Sequence, residues 1–176
     1  MNLWHDIEAG SAEEMNVIVE IPNGSSNKYE LDKDTGLIKL DRVNYGPTHY
    51  PTNYGFIPQT LWEDGDAIDV LVLSTYPLHP GILLEIRPVG LMKMTDDGES
   101  DDKIIGVPAK DQRWNNVKDV SDLNQHQLKE IKLFFETIKT LKGKPVEVTV
   151  HEFQNMESAK QAFEHSRKLY KEKFSK

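Results

Sequence analysis

The 176-residue sequence contains no cysteine, which excludes disulfides, thiolate zinc sites and cysteine nucleophiles. The absence also fits a reducing compartment, so we expect a cytoplasmic location. The six histidines are scattered without the paired spacing of metal ligands, and we expect each to be a surface or packing residue. Any metal site is therefore expected to use oxygen ligands.

Long apolar runs are also absent. No stretch approaches the ~18 uninterrupted apolar residues of a membrane span. The first fifteen residues, MNLWHDIEAGSAEEM, lack the basic start and the apolar stretch of a signal peptide. We therefore expect neither membrane insertion nor export.

Positive charge is in deficit, with 21 Lys and Arg against 29 Asp and Glu and a formal net charge of −8. This balance disfavours a nucleic-acid backbone as partner, because like charges repel. An anionic substrate would be repelled as well, unless divalent cations first neutralise the carboxylates and a few well-placed Lys and Arg contact it.

The order of the secondary-structure signals indicates a β-rich chain that ends in helices. No internal repeat, low-complexity tract or linker divides the sequence, so we predict one domain over residues 1–176. Runs of short strands are typical of a barrel or a sandwich. We predict strands at 16–21, 28–32, 37–43, 69–73, 82–91, 103–107 and 146–153.

Two amphipathic helices are predicted to pack on the sheet. The first has an apolar face at helical spacing, formed by Leu128, Ile131, Phe135 and Ile138. We predict that it begins after a cap at Ser121 or Asp122 and that Gly143 ends it. The second begins near Asn155, and its face is formed by Met156, Ala159, Phe163, Ser166 and Tyr170.

The segment DGDAIDVLVL places Asp64, Asp66 and Asp69 at the start of an apolar run. Asp64 followed by glycine is also a common tight-turn signal, and a turn alone would explain part of the segment. A turn does not require an acid inside the next strand, however, and Asp69 shares a strand face with Leu71 and Leu73. An ionised carboxylate there is costly without a cation or several donors, so a metal is the simplest partner. The spacing does not fit an EF-hand, which needs glycine at the sixth position.

Further acids follow in MTDDGESDDK, between Asp96 and Asp102, and Glu20 closes the strand VIVEI. The pair Asp97-Gly98 is again a turn signal. Carboxylates at several strand ends, with no cysteine, suit a hard cation, and Mg²⁺ is the leading candidate.

Cationic and phenolic side chains occur near the ends of the same strands. They are Lys28, Arg42, Lys103, Tyr50 and Tyr54, with Glu30 on the same strand face as Lys28. Each one alone is most simply a surface charge, a snorkelling side chain or a core aromatic. Together they would converge on the acids if the strands line one barrel mouth, where the phenols could donate to phosphate oxygens.

These segments together resemble the soluble inorganic pyrophosphatases of family I, the short prokaryotic type. The resemblance extends over essentially the whole chain through VEIPNGSSNKYELDK, LDRVNYGPTHYPTNYGFIPQT, DGDAIDVLVL, RPVGLMKMTDDGESDDKIIGVP and KDVSDL. The segment DGDAIDV is close to the family signature D-G-D-[PS]-x-D-[LIV]. It departs from the signature at Ala67, where proline is usual.

The resemblance implies a highly twisted five-stranded barrel of OB-like type, with additional strands and two packed helices, that hydrolyses pyrophosphate to two phosphates. It implies Mg²⁺ ligands at Glu20, Asp64, Asp66, Asp69, Asp96 and Asp101. The implied substrate contacts are Lys28, Glu30, Arg42, Tyr54, Lys103 and Lys139, with Tyr50 and Asp97 in support. Among these residues, Asp66, Tyr54, Lys28, Arg42 and Lys103 are the catalytic candidates, and Asp66 is the candidate general base.

The family resemblance also implies a homohexamer. One position departs from the family in the helix, where FFETIK has Ile138 in place of a tyrosine expected to bind phosphate. Ile138 also belongs to the apolar face, so its side chain could instead pack. Two other functions stay open: a nucleic-acid-binding OB fold, which the acidic charge contradicts, and a degenerate relative that binds metal or phosphate without catalysis.

Overall fold

The computed structural model describes residues 1–144 and 146–174. Five strands form a closed ring in the order β1, β4, β5, β8 and β6, and β6 pairs back with β1. Their bounds are β1 Met15–Ile21, β4 Asn53–Phe56, β5 Asp69–Val72, β6 Leu83–Asp96 and β8 Lys103–Pro108. All neighbouring pairs are antiparallel except β5 and β8, which are parallel.

The remaining strands extend the ring or stand beside it. Strands β7 (Glu99–Ser100) and β9 (Val148–Gln154) both pair with β6. Strands β2 (Asn27–Leu31) and β3 (Ile38–Val43) form a separate antiparallel hairpin. The architecture confirms the predicted class, a five-stranded barrel with additional strands and two packed helices.

Helices α1 (Gln125–Thr137) and α2 (Met156–Phe174) pack against the sheet. The buried face of α1 is formed by Leu128, Ile131, Phe134 and Phe135. The buried face of α2 is formed by Ala159, Ala162, Phe163 and Ser166. Within the described residues, neither helix is long and apolar enough to cross a membrane.

The predicted ends of α1 were wrong at both termini. Ser121 and Asp122 belong to a separate turn of 3₁₀ helix, and Leu123 is extended, with a ψ of 158°, so the helix cannot run through it. Asn124 is the actual cap, because its side chain accepts from the N–H groups of His126 and Gln127. The helix ends at Thr137, well before Gly143.

Two short strands were missed, and one strand is longer than predicted. β4 lies in the tract NYGF, and β7 is only two residues long. β6 continues five residues beyond the predicted end at Leu91, so that it reaches Asp96. This extension carries Asp96, the first acid of the segment MTDDGESDDK, toward the end of the barrel where β8 begins, because Met92 pairs with Lys103.

Candidate active site

A cavity of about 580 Å³ lies between the β2–β3 hairpin and one end of the barrel. A backbone contact joins the two walls, since the N–H of Leu31 donates to Glu20 Oε1 at 2.7 Å. Eight of the predicted site residues line the cavity: Glu20, Lys28, Glu30, Tyr54, Asp64, Asp66, Asp69 and Asp101. Residues distant in sequence therefore meet there.

The aspartate motif forms both a tight turn and part of the cavity wall. Gly65 has a φ of +92° and donates its N–H to the carbonyl of Trp62 at 3.0 Å. The N–H of Asp66 donates to Asp64 Oδ1 at 3.0 Å, which fixes the two acids relative to each other. The turn interpretation is therefore confirmed, and the same segment contributes Asp64, Asp66 and Asp69 to the cavity wall.

Lys103 is buried among the acids. It lies opposite Asp69 in the parallel β5–β8 register, and only 2% of its surface is exposed. Its Nζ lies 2.8 Å from Asp69 Oδ2, 2.9 Å from Asp101 Oδ1 and 3.1 Å from the Tyr54 hydroxyl. The Tyr54 hydroxyl also donates to Asp69. Burial disfavours the charged ammonium, but Asp101 and Asp69 outweigh burial and raise the pKa of Lys103.

Three carboxylates are held in surroundings that disfavour their charge. Burial raises the pKa of Glu20 from 4.5 to about 8, and the negative charge of Asp69 is the second-largest cause of this increase. Burial also raises the pKa values of Asp64 and Asp101 above the ordinary range. A divalent cation would relieve this penalty, because opposite charge favours the ionised form.

The cationic residues of the hairpin lie at the edge of this cavity. Lys28 Nζ contacts Glu30 at 3.1 Å and Asp41 at 3.4 Å. Arg42 pairs with Lys28 in the β2–β3 register, and its guanidinium lies 3.5 Å from Asp41. Arg42 does not line the cavity, but Lys28, with which it pairs in the hairpin, does.

Asp96 and Lys139 do not line the cavity and contact each other. Asp96, at the end of β6, forms an ion pair with Lys139, which follows α1. Asp97 has a φ of +51° and begins the turn that leads through Gly98. Among the predicted metal ligands, Asp96 is the one that the structure does not bring to the cavity.

Tyr50 and Ile138 show how α1 meets the site. Tyr50 is buried, its ring centroid lies 5.9 Å from that of Tyr54, and burial raises its pKa. Ile138 is half-buried and packs against the core cluster that includes Phe134 and Phe135. The position that departs from the family thus contributes to packing.

The donor set fits a hard divalent cation. Five of the carboxylates that line the cavity are predicted metal ligands, and they offer oxygen atoms only, which suits Mg²⁺. Within residues 1–144 and 146–174, no three His, Cys, Asp or Glu side chains converge closely enough to form a ready-made metal cage. Lysines instead contact four of the predicted ligands, namely Asp66, Asp69, Asp96 and Asp101. A cation would therefore have to displace these lysines or use the carboxylate oxygens that they leave free.

Lys33 and Trp4 were missed at the sequence level. Both line the cavity, and Lys33 forms an ion pair with Asp66. The only signal for Lys33 was its place in the hairpin turn DKDTG, which does not reveal that the hairpin faces the aspartate loop. Trp4 stands in an N-terminal segment without any periodic pattern.

Comparisons with known proteins agree with this arrangement. A sequence model of the family described as inorganic pyrophosphatase matches residues 17–171. The inorganic pyrophosphatase of Haloferax volcanii is 47% identical over 178 residues, covering 99% of each chain. The soluble inorganic pyrophosphatase of Zea mays is 51% identical, covering 95% of this chain and 78% of its own.

Solved structures give the same result. The crystal structure of inorganic pyrophosphatase from Thermus thermophilus has a TM-score of 0.93 and 45% identity, covering 97% of this chain and 99% of its own. The Helicobacter pylori inorganic pyrophosphatase has a TM-score of 0.90 and 42% identity, covering 94% of this chain and 99% of its own. These matches confirm the family predicted from the motifs: the chain belongs to the inorganic pyrophosphatases.

Proposed function

We propose that this chain is an inorganic diphosphatase that hydrolyses pyrophosphate to two phosphates with Mg²⁺ as its cofactor. The observation that carries the proposal is the meeting of five predicted ligand carboxylates on one cavity wall, with Lys103 buried behind them. Family membership supports the reaction, and the oxygen-only donor set supports the metal.

Glu20, Asp64, Asp66, Asp69 and Asp101 would hold the cations, and Asp96 would join them if the β6–β7 turn moves toward the cavity. Bound Mg²⁺ supplies charge neutralisation and lowers the pKa of water toward neutrality. Asp66 is the proposed general base, since its side chain is 62% exposed and accessible to water. In that role an Asp66 oxygen accepts the proton of the attacking water.

The cationic residues and one phenol would bind the two phosphates. Lys28 and Tyr54 line the cavity, and Lys103 lies within hydrogen-bonding distance of the Tyr54 hydroxyl. These groups would offset the negative charge that develops on the phosphate oxygens during phosphoryl transfer. Arg42 and Lys139, which do not line the cavity, would hold the leaving phosphate if their side chains turn toward it, and Glu30 would orient Lys28, which it contacts.

The alternative of a degenerate, noncatalytic relative depended on Ile138. The packing of Ile138 against the core gives this position a structural role, so its identity is weak support for lost catalysis. The acidic charge and the carboxylates of the cavity likewise disfavour a nucleic-acid-binding OB fold.

A malachite-green assay of phosphate release from pyrophosphate tests the proposal. We expect release with Mg²⁺, little release with excess chelator, and a large loss in the Asp66→Asn variant. Folded protein that binds Mg²⁺ but releases no phosphate would support the degenerate alternative. The single domain over residues 1–176, the homohexamer and the cytoplasmic location stay predictions, to be checked by proteolysis, light scattering and cell fractionation.

A further inference from the structure

Lys33 connects the two walls of the cavity at its mouth. It lies in the turn between β2 and β3, and its Nζ forms an ion pair with Asp66 Oδ1 on the opposite wall. The side chains of Lys33 and Asp66 are 56% and 62% exposed, so the pair lies in contact with solvent. This exposure contrasts with the buried ammonium of Lys103.

The ammonium of Lys33 also has a second contact. It lies 5.0 Å from the ring centroid of Trp4, within the range of a cation–π interaction. Trp4 is buried, and its Nε1 donates to the carbonyl of Thr60 at 2.8 Å. The Thr60 hydroxyl in turn accepts the N–H of Ile68 at 3.1 Å. The indole that supports Lys33 is therefore fixed to the loop that carries Asp66.

We propose that Lys33 is a positioning residue that competes with the first divalent cation for Asp66 and so raises the Mg²⁺ concentration at which the site fills. The inference rests on the proposed function, because it requires Asp66 to be a metal ligand. A carboxylate oxygen that accepts from an ammonium must release it before presenting the same lone pairs to a cation. The indole of Trp4 lets Lys33 release Asp66 without losing all of its contacts.

Exposure makes Lys33 suited to such exchange. An exposed ion pair is weak, because water competes for both partners, so a cation can displace it at small cost. Lys103 cannot be displaced as easily, because its departure would leave Asp69 and Asp101 without their buried partner. Lys33 is therefore expected to tune cation affinity, whereas Lys103 is expected to be a permanent part of the site.

The test is calorimetric titration of Mg²⁺ into chelator-stripped protein in the absence of pyrophosphate. Lys33→Met keeps an unbranched stem over Trp4 but removes the charge. We expect its Kd for Mg²⁺ to be about two- to fivefold lower than that of the wild type, about 0.4–1 kcal/mol at 1.4 kcal/mol per tenfold. Lys33→Arg keeps the charge and is expected to retain the wild-type Kd.

Lys39→Met is the matched control. Lys39 lies on the same hairpin, but its Nζ approaches Asp32 at 3.8 Å instead of Asp66. Its replacement removes the same charge without touching the proposed contact, so its Kd should change by less than about twofold. The inference is overturned if Lys33→Met leaves the Kd unchanged or raises it, or if Lys39→Met tightens binding equally.

Two additional measurements distinguish competition for Asp66 from a change in folding and from a loss of catalysis. The metal-free melting temperature of Lys33→Met should match the wild type, and Lys33→Gln provides a second neutral variant if it does not. Phosphate release by the wild type tests the proposed function independently. A wild type that binds Mg²⁺ without hydrolysing pyrophosphate would overturn that function, while the Kd comparison would still decide the role of Lys33.

Discussion

Asp69 and Lys103 face each other across the parallel pairing of β5 with β8, and their side chains meet at 2.8 Å. The same ammonium contacts Asp101 at 2.9 Å, so one buried cation is paired with two acids. A charge in such surroundings is tolerated only when it is paired and hydrogen-bonded. The site thus contains a fixed counter-ion of its own before any metal binds.

The first prediction is that Lys103→Met strongly destabilises the metal-free protein. The substitution leaves Asp69 and Asp101 without their buried partner, which should lower the free energy of unfolding by about 3–5 kcal/mol. Urea unfolding in the presence of chelator measures the change. Lys168→Met, at a 74% exposed position of α2, is the control and should change the stability by less than about 1 kcal/mol. A comparably small loss for Lys103→Met would contradict this role.

The second prediction concerns catalysis by Asp66. Asp66→Asn removes the proposed base and one ligand charge, so turnover at saturating Mg²⁺ should fall by ~10²–10⁴. The melting temperature should stay near that of the wild type, because the side chain is well exposed. Retention of more than about a tenth of the wild-type turnover would exclude Asp66 as the general base.

The alternation of side chains along strands was a reliable guide to part of this structure. Asp69 lines the cavity, while Leu71 and Leu73 belong to the core cluster that α1 covers. Side chains on alternate residues share one face of a strand, so the acid was expected beside the core from the strand pattern alone. The side chains that other strands contribute to the cavity were predicted from the family motifs, because no local sequence pattern connects those strands.

Other features depend on contacts between distant segments and could not be predicted from local sequence. No strand was predicted at β4, where Gly55 is needed because a Cβ would lie 2.1 Å from the carbonyl oxygen of Ile18 on β1. The pairing of Lys33 with Asp66 depends on how the β2–β3 hairpin stands against the barrel. Asp96 was predicted as a metal ligand, and in the structure it forms an ion pair with Lys139 and does not line the cavity.

The third prediction is that Ca²⁺ inhibits the Mg²⁺-dependent reaction. Both ions accept oxygen ligands, but Ca²⁺ is larger, coordinates with looser geometry and activates water less. Ca²⁺ titrated at a fixed Mg²⁺ concentration should therefore lower the rate of phosphate release, and excess Mg²⁺ should restore it. An unchanged or increased rate would argue against activation of water by the metal.

The fourth prediction concerns the pH dependence of stability in the metal-free protein. The pKa of Glu20 is about 8 in the folded state and 4.5 ordinarily, so folding favours its protonated form. The stability that depends on protonated Glu20 is fully present below about pH 4.5 and is lost as the pH rises through 8. Burial of Asp64 and Asp101 acts in the same direction.

Glu20→Gln tests this prediction, because an amide has no charge to bury. Urea unfolding with chelator at about pH 5.5, 7 and 8.5 should show the wild type losing stability relative to the variant as the pH rises. Parallel pH profiles for the two proteins would mean that Glu20 is not the group responsible. Saturating Mg²⁺ should reduce the difference between the wild-type stabilities at low and high pH.

The last prediction concerns Ile138, where the family usually has tyrosine. If this position faced the substrate, Ile138→Tyr would add one phosphate contact and lower KM. The structure instead packs the half-buried side chain against the core beside Phe134 and Phe135. We therefore expect overpacking, with a loss of about 1–3 kcal/mol in stability, a lower melting temperature and an unchanged KM. Leu133→Tyr, at a 61% exposed position of α1, is the control and should leave both quantities unchanged. A lower KM with an unchanged melting temperature for Ile138→Tyr would show that this position reaches the phosphate.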